Sequence, residues 1–297
     1  MTTDDKNKHK LKKNKTKRTK RAKSTERLSY NHDLLVKSWQ SRDALYQQLF
    51  GPHKYVSPEN YSAPVLQSKP KDNASARHAE FNIESPNKEL DLSNQQLAIF
   101  TYEPDPLRPY WTYLTAGLST PWLQDEELEV SGFGLELMIK SPNEADWPAQ
   151  ILRTMAYYIF NHMGTLSPSK RLALNSSIIA GGKSLLRNVL IWYADDSTDC
   201  WYQLPSGGFG IFTAIGITDD EMRLTESMHE EYGTWCMLQI LKRLGIDQVT
   251  DPSRPSIFET ENISSIIDSV KDYAEQFHRA FPEANQPRGR QTPNEQN

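Results

Sequence analysis

The chain has 297 residues, of which 37% are apolar and 10% aromatic, so it can bury one large core or two modest ones. Its two cysteines, Cys200 and Cys236, exclude a disulfide scaffold and an all-cysteine zinc site. No apolar run approaches about 18 residues, which excludes a transmembrane helix, and the N-terminus lacks the apolar segment of a secretory signal. We therefore expect a soluble, cytoplasmic protein.

The formal net charge of −4 combines two regions of opposite sign. Residues 1–27 hold twelve Lys and Arg and three acids, a net charge of +9, which leaves −13 for the remainder. This basic arm and the polar tail at 283–297 contain too few apolar side chains to offset the entropy of ordering, so we predict that both are disordered. The folded domain is then expected over residues 28–282.

The first predicted helix runs from Asp33 to Phe50 and is ended by Gly51-Pro52. Residues 52–94 are rich in Pro, Ser and Asn, and both short edge strands and a long loop fit them. Alternation of side chains then predicts strands at 97–102, 110–118, 127–140, 185–193, 200–204, 209–217 and, briefly, 256–259. The Gly132-Phe133-Gly134 break within the third of these predicts a bulge.

Three helices are predicted among and after these strands. Asp146 is placed to cap the first, which runs to about residue 161. The second begins at a capping box, Thr218-Asp219-Asp220-Glu221, weakens near Gly233 and ends at Gly245. The last carries apolar residues at spacings of three or four from Ile263 to Phe281. Strands in runs with helices between them favour an α+β fold with mixed or antiparallel sheets and packed amphipathic helices.

No catalytic or metal-binding set is complete in the sequence. His162 follows the apolar side of its helix and is predicted to lie at the edge of the core. His229-Glu230-Glu231 resembles the start of a zincin helix, but Gly233 stands where the second His belongs. Both cysteines are predicted to be small buried side chains, with a reactive thiol as the alternative. We therefore expect no metal, no cofactor and no enzymatic activity.

Two glycine-containing segments have structural explanations. Gly182-Lys183-Ser184 resembles the end of a phosphate loop, but Ser177 stands where that loop begins with Gly, so a loop before a strand is the better interpretation. The run at 206–210, Ser-Gly-Gly-Phe-Gly, precedes a strand and is predicted to be a turn leading into it. The pairs at 195–196 and 219–220 are predicted to be a turn and a helix N-terminus, with catalytic carboxylates as the alternative.

Five sequence blocks, in order, resemble the Suppressor of fused domain. They are Tyr110-Trp111-Thr112-Tyr113-Leu114-Thr115-Ala116-Gly117-Leu118-Ser119; Ser131-Gly132-Phe133-Gly134-Leu135-Glu136-Leu137; Trp147-Pro148-Ala149-Gln150 with Ala156-Tyr157-Tyr158-Ile159-Phe160; Phe209-Gly210-Ile211 leading to Thr218-Asp219-Asp220-Glu221; and Asp251, Arg254 and Ser256-Ile257-Phe258-Glu259. Trp39, Arg42 and Leu49-Phe50-Gly51 resemble the opening helix of bacterial members.

The resemblance implies a domain that binds proteins and catalyses nothing. Animal members of the family hold a transcription factor, with a partner peptide added as a strand, and bacterial members are linked with toxin systems as immunity proteins. The resemblance places Tyr113 near the peptide-binding cleft, and with Trp111 of the same block it gives two candidate partner-binding residues. The alternative for Tyr113 is a core aromatic residue on its strand. Thr120 stands where animal members have an Asp.

Three hypotheses of function follow. The first is a non-catalytic immunity-type or regulatory protein that sequesters a protein partner, such as a basic toxin, which the acidic body would attract. The second is a nucleic-acid-associated protein that uses the basic arm, although the arm lacks aromatic residues for base stacking. The third is an unrecognised hydrolase with His162 or His229 as its base.

Overall fold

This computed structural model describes residues 33–57, 97–121, 124–162, 166–195, 199–228 and 232–280. The basic arm, the polar tail, Phe281 and most of the segment at 52–94 lie outside the described residues. The same is true of His229, Glu230, Glu231 and Asp196, and of the side chain of His162.

One eight-stranded mixed sheet forms the centre of the molecule. Its strands are β1 (Tyr55–Ser57), β2 (Ala98–Tyr102), β3 (Trp111–Ala116), β4 (Val130–Ser141), β5 (Arg171–Ala173), β6 (Leu186–Tyr193), β7 (Tyr202–Leu204) and β8 (Gly207–Thr218). Their order across the sheet is β1-β2-β3-β4-β8-β6-β5, and β7 also pairs with β8. The β4 and β8 strands are parallel, whereas the other pairings between these strands are antiparallel.

Helices cover both faces of this sheet. They are α1 (33–50), α2 (Trp147–His162), α3 (Asp219–Ser227), α4 (Gly233–Arg243) and α5 (Ile263–Ala280), with a short 3-10 helix at Ile257–Glu259. The α2 helix packs on the face that carries Tyr113 and Leu137, whereas α1 packs on the opposite face, which carries Leu114 and Met138. The α4 and α5 helices cover Leu190 of β6 in a third cluster. Two-sided burial explains why β8 is buried along its whole length. The predicted α+β fold is confirmed.

Two local predictions about the long strands and helices are also confirmed. The predicted bulge is present, because the register of the β4–β8 pairing shifts between Val130 and Leu135. Gly132 and Gly134, which lie within it, have positive φ angles of 57° and 71°. The capping box is complete at the start of α3: the Thr218 hydroxyl accepts from the Glu221 amide, and the Glu221 side chain accepts from the Thr218 amide.

Three predictions differ from the structure, and one strand was not predicted. Residues 256–259 form a 3-10 turn instead of a strand, because the Ser256 hydroxyl accepts from the Phe258 amide. The predicted helix over 218–244 is two helices, with Gly233 opening the second. Cys200 is exposed, since it lies just before the edge strand β7, whereas Cys236 is buried as predicted. The three-residue strand β5 is too short to show alternation and was not predicted.

Candidate functional site

The buried carboxylate of Glu136 organises the turn that follows β3. It accepts hydrogen bonds from the Thr115 hydroxyl at 2.5 Å, from the Gly117 amide at 2.9 Å, and from the amide and hydroxyl of Ser119 at 2.9 and 2.6 Å. The side chain is fully buried. Because a buried carboxylate needs donors in place of water, Glu136 has a structural role and holds this turn against β4.

The same turn is covered by α1. Trp39 Nε1 donates to the Thr120 hydroxyl at 3.1 Å, and Arg42 donates to the same oxygen at 3.4 Å. Ser38, which precedes Trp39 in α1, donates from its hydroxyl to the Ser206 hydroxyl at 2.8 Å. Thr120 is 1% exposed, so this departure from the pattern that the resemblance implies lies beneath the helix.

The two candidate partner-binding residues lie in different surroundings on β3. Tyr113 is 1% exposed, and its hydroxyl oxygen accepts from the Ala145 amide at 2.8 Å. Burial raises the pKa of its phenol to about 12, so it remains neutral. Trp111 is half-buried, and the ammonium of Lys54 lies 4.6 Å from its ring centroid. Tyr113 is thus part of the core, whereas Trp111 has accessible surface.

Two glycine motifs that are far apart in sequence meet in space. The parallel register of β4 and β8 places Val130 opposite Gly208 and Leu135 opposite Gly210. Trp201 covers this junction: a β-carbon at Gly208 would lie 2.0 Å from its Nε1, and one at Gly134 would lie 3.7 Å from its ring. Because these glycines have no side chain, the indole of Trp201 can pack directly on the backbone of β4 and β8.

Exposed apolar side chains lie near this indole. Trp201 is 48% exposed, Leu128 is 51% exposed and Val130 is 39% exposed. Acidic side chains border them, because the exposed run at 125–129 reads Asp-Glu-Glu-Leu-Glu. We call residues 125–130 together with Trp201 the Trp201 surface. It combines exposed apolar side chains with negative charge.

Backbone and side-chain hydrogen bonds fix this surface in place. The Leu128 amide donates to the Ser206 carbonyl oxygen, and the Gly208 amide donates to the Glu129 carbonyl oxygen, both at 3.1 Å. Gln124 joins the same elements, since its Nε2 donates to the Ser206 carbonyl oxygen at 2.8 Å and its Oε1 accepts from the Gly132 amide at 2.7 Å. A partner would therefore meet a surface that is already ordered, which lowers the entropic cost of binding.

The described residues include a buried, protonated thiol and several groups that were weighed for other chemistry. Burial raises the pKa of the Cys236 thiol to about 11, so it stays protonated and unreactive. Lys183 lies in a loop before β6, as predicted. No group of three or more His, Cys, Asp or Glu side chains in the described ranges could hold a metal ion. Among the described helices, none is both long and apolar enough to cross a membrane.

Sequence reasoning missed the Trp201 surface as a site. It treated the glycine motifs of β4 and β8 separately and gave Trp201 no role. A signal was present, because Gly208 and Gly210 are two residues apart where the predicted turn at 206–210 leads into a strand, and glycines at alternate positions indicate close approach by another group. What occupies that face depends on the pairing of β4 with β8, which no local pattern encodes.

The architecture is that of an α+β domain in which buried motif residues such as Glu136 and Glu221 serve the fold. The chain belongs to the Suppressor of fused family: the model of the Suppressor of fused protein (SUFU) matches residues 93–255, as the five sequence blocks predict. No curated protein matches the chain.

One solved structure agrees with this family at the level of the fold. The chain is 20% identical to Drosophila Suppressor of Fused, with a TM-score of 0.50 over 61% of this chain and 46% of that one. It thus spans less than half the length of that relative. It also resembles a chain of the Sufu-Fu complex (21% identity, TM-score 0.47, 59% of this chain and 82% of that one) and a putative SUFU homolog from Neisseria gonorrhoeae (20%, 0.42, 55% and 78%).

Proposed function

We propose that this protein is a non-catalytic binding protein of the immunity type, which sequesters a basic protein partner such as a toxin through the Trp201 surface. The observation that carries the proposal is the exposed indole of Trp201, set among apolar side chains and bordered by the acidic run at 125–129. Membership of a family with a solved protein complex, Sufu-Fu, supports a binding role.

The composition of the surface defines what the partner must supply. An apolar side chain would pack against Leu128 and Val130, and cations would meet Trp201 and the acidic border. The net charge of −13 on residues 28–297 would speed encounter with such a partner. Affinity should therefore fall as salt screens the charges, while the apolar anchors limit that fall.

Trp111 provides a second proposed contact at a separate place. It pairs with Ser141, the last residue of β4, whereas Val130 is the first residue of that strand. One small partner segment would therefore not cover both Trp111 and Trp201. Tyr113 would influence binding from the core, by holding β3 against the Ala145 amide.

The proposal is tested by capturing partners on the tagged full chain at low salt in lysate of the source cells. The variant Trp201→Ala with Leu128→Ser removes the anchors, and Tyr273→Ala removes a similarly exposed aromatic residue on α5 (54% exposed) as a matched control. We expect one basic protein, retained by the wild type and the control and reduced at least about tenfold with the double variant, a loss of the size expected from an interface hot spot. Equal retention by all three would contradict the proposal.

The immunity role is tested separately with the partner that is captured. Expression of that partner alone in a sensitive host should stop growth, and co-expression of this protein should restore it. The Trp201→Ala/Leu128→Ser variant should restore growth poorly, whereas Tyr273→Ala should restore it fully. If the captured partner is not toxic, the proposal that this protein sequesters a partner would stand, but the immunity role would be contradicted.

A further inference from the structure

The start of α1 lies beside the Trp201 surface. The Ser38 hydroxyl donates to the Ser206 hydroxyl, and the Ser206 carbonyl oxygen accepts from the Leu128 amide. Helical residues rise about 1.5 Å each, so Asp33 lies about 8 Å along the axis from Ser38. The first residue of α1 therefore lies about 8 Å along the helix axis from the side chain that joins α1 to the Trp201 surface through Ser206.

The segment that precedes α1 has a charge opposite to that of the acidic run at 125–129. Residues 1–27 hold twelve Lys and Arg against three acids. The residues between Arg27 and Asp33 span at most about 20 Å when extended, so the basic side chains nearest to the fold can reach the surface. A short tether of this kind gives an effective concentration of about millimolar, far above that of a free partner.

The surface itself selects for cations. The acidic residues of the run supply carboxylates, and the exposed face of Trp201 attracts ammonium and guanidinium groups while packing against their apolar stems. The arm offers Lys and Arg with few apolar side chains, Leu11 and Ala22 among them. A lysine-rich segment fits a half-exposed indole near an exposed acidic run better than an apolar segment would.

We propose that residues 1–27 occupy the Trp201 surface of the same chain when no partner is bound. The arm then acts as an internal competitor, and a basic partner binds by displacing it. The contact itself needs no external partner, so it goes beyond the proposed function and stands or falls independently of it. The displacement of the arm by a partner rests on the proposed function.

Carbodiimide cross-linking of the full chain at low salt tests the contact, because it joins lysines to carboxylates that touch. The test variant is Glu126→Gln/Glu127→Gln/Glu129→Gln, which keeps Asp125 as a reporter. The matched control, Glu261→Gln/Asp268→Asn/Asp272→Asn, removes the same charge from exposed positions at and before α5.

In the wild type we expect links from arm lysines to concentrate on residues 125–129 and to fall at least about fivefold when the salt concentration is raised to about 0.5 M. Links to Asp125 should fall by a similar factor in the test variant and persist in the control. Links spread over the whole acidic body, or an unchanged yield at Asp125 in the test variant, would overturn the proposal. In mixtures of isotopically light and heavy protein, links that join two different chains would overturn it as well.

Discussion

Arg254 and Glu221 form a bidentate ion pair in the interior, with both nitrogen–oxygen distances at 2.6 Å. Glu221 is fully buried and Arg254 is 8% exposed. The carboxylate also accepts from the amides of Ile257 and Thr218, so it joins the start of α3 to the 3-10 turn. One ion pair thus connects the fourth and fifth motif blocks of the family.

Removing one partner of this pair should cost far more than breaking an exposed pair. Arg254→Ala leaves the Glu221 carboxylate buried without its cation, and we expect a loss of about 3–5 kcal/mol in the free energy of unfolding, measured by urea denaturation. The exposed pair Arg279–Glu275 on α5 provides the control, since Arg279→Ala should leave the urea midpoint essentially unchanged. Similar midpoints for the two variants would contradict a structural role for the buried pair.

Replacing Glu136 by glutamine should destabilise the fold. In Glu136→Gln, an NH2 group replaces one carboxylate oxygen. At the position of Oε1 it would face the backbone amides of Gly117 and Ser119, which can only donate, and at the position of Oε2 the Thr115 hydroxyl would have to change from donor to acceptor. We expect a loss of about 2–3 kcal/mol in the free energy of unfolding. Glu129→Gln, at an exposed position, controls for the charge change. An unchanged stability of Glu136→Gln would show that the turn does not depend on this carboxylate.

Gly132 should tolerate no side chain. Its φ is +57°, and a β-carbon there would lie 2.4 Å from the Thr120 carbonyl oxygen and 2.6 Å from that of Leu118. Both are backbone atoms, which cannot move aside cheaply. Gly132→Ala should therefore unfold the turn or lower the thermal midpoint strongly. Gly181→Ala, with φ +66° and no atom within 4 Å, should lose only about 1–2 kcal/mol.

The Asp220 carboxylate should stabilise the fold in a pH-dependent way. Partial burial alone would raise its pKa, but hydrogen bonds from the Ser256 and Thr218 hydroxyls and from backbone amides lower the pKa below its usual value. Since the folded pKa is the lower one, this stabilisation is complete above the unfolded value of about 3.9 and is lost as pH falls through the folded pKa.

Asp220→Asn should accordingly be less stable than the wild type near neutral pH, and the difference should shrink below about pH 4. Urea denaturation across this range measures it, with Asp268→Asn on the exposed side of α5 as the control. A difference that is constant with pH would indicate that Asp220 acts through its shape instead of its charge.

Local sequence signals predicted the elements well where a residue's own neighbours decide the conformation. The capping box at Thr218 and the end of α4 before Gly245, whose φ is +73°, depend on residues within one turn, and both are present. The strand prediction for residues 256–259 was wrong, although their apolar pattern fits a strand. The Ser256 hydroxyl and the Glu221 carboxylate accept hydrogen bonds from the Phe258 and Ile257 amides, which a strand would need for pairing.

The Trp201 surface required information that local signals do not contain. Val130 and Gly208 are neighbours through parallel pairing of β4 and β8, and the intervening chain forms α2, β5, β6 and β7. The family resemblance pointed to Tyr113 instead, which the fold buries. Its partner-binding role and that of Trp111 stay predictions.

Hydrogen–deuterium exchange of the full chain, with and without the captured basic partner, tests the docking site most directly. We predict slower exchange of the amides at 125–130 and 200–203 on binding, with unchanged exchange in α5. Protection confined to α5 or to the β1–β3 region around Trp111, with none at 125–130, would contradict the assignment of the Trp201 surface as the docking site.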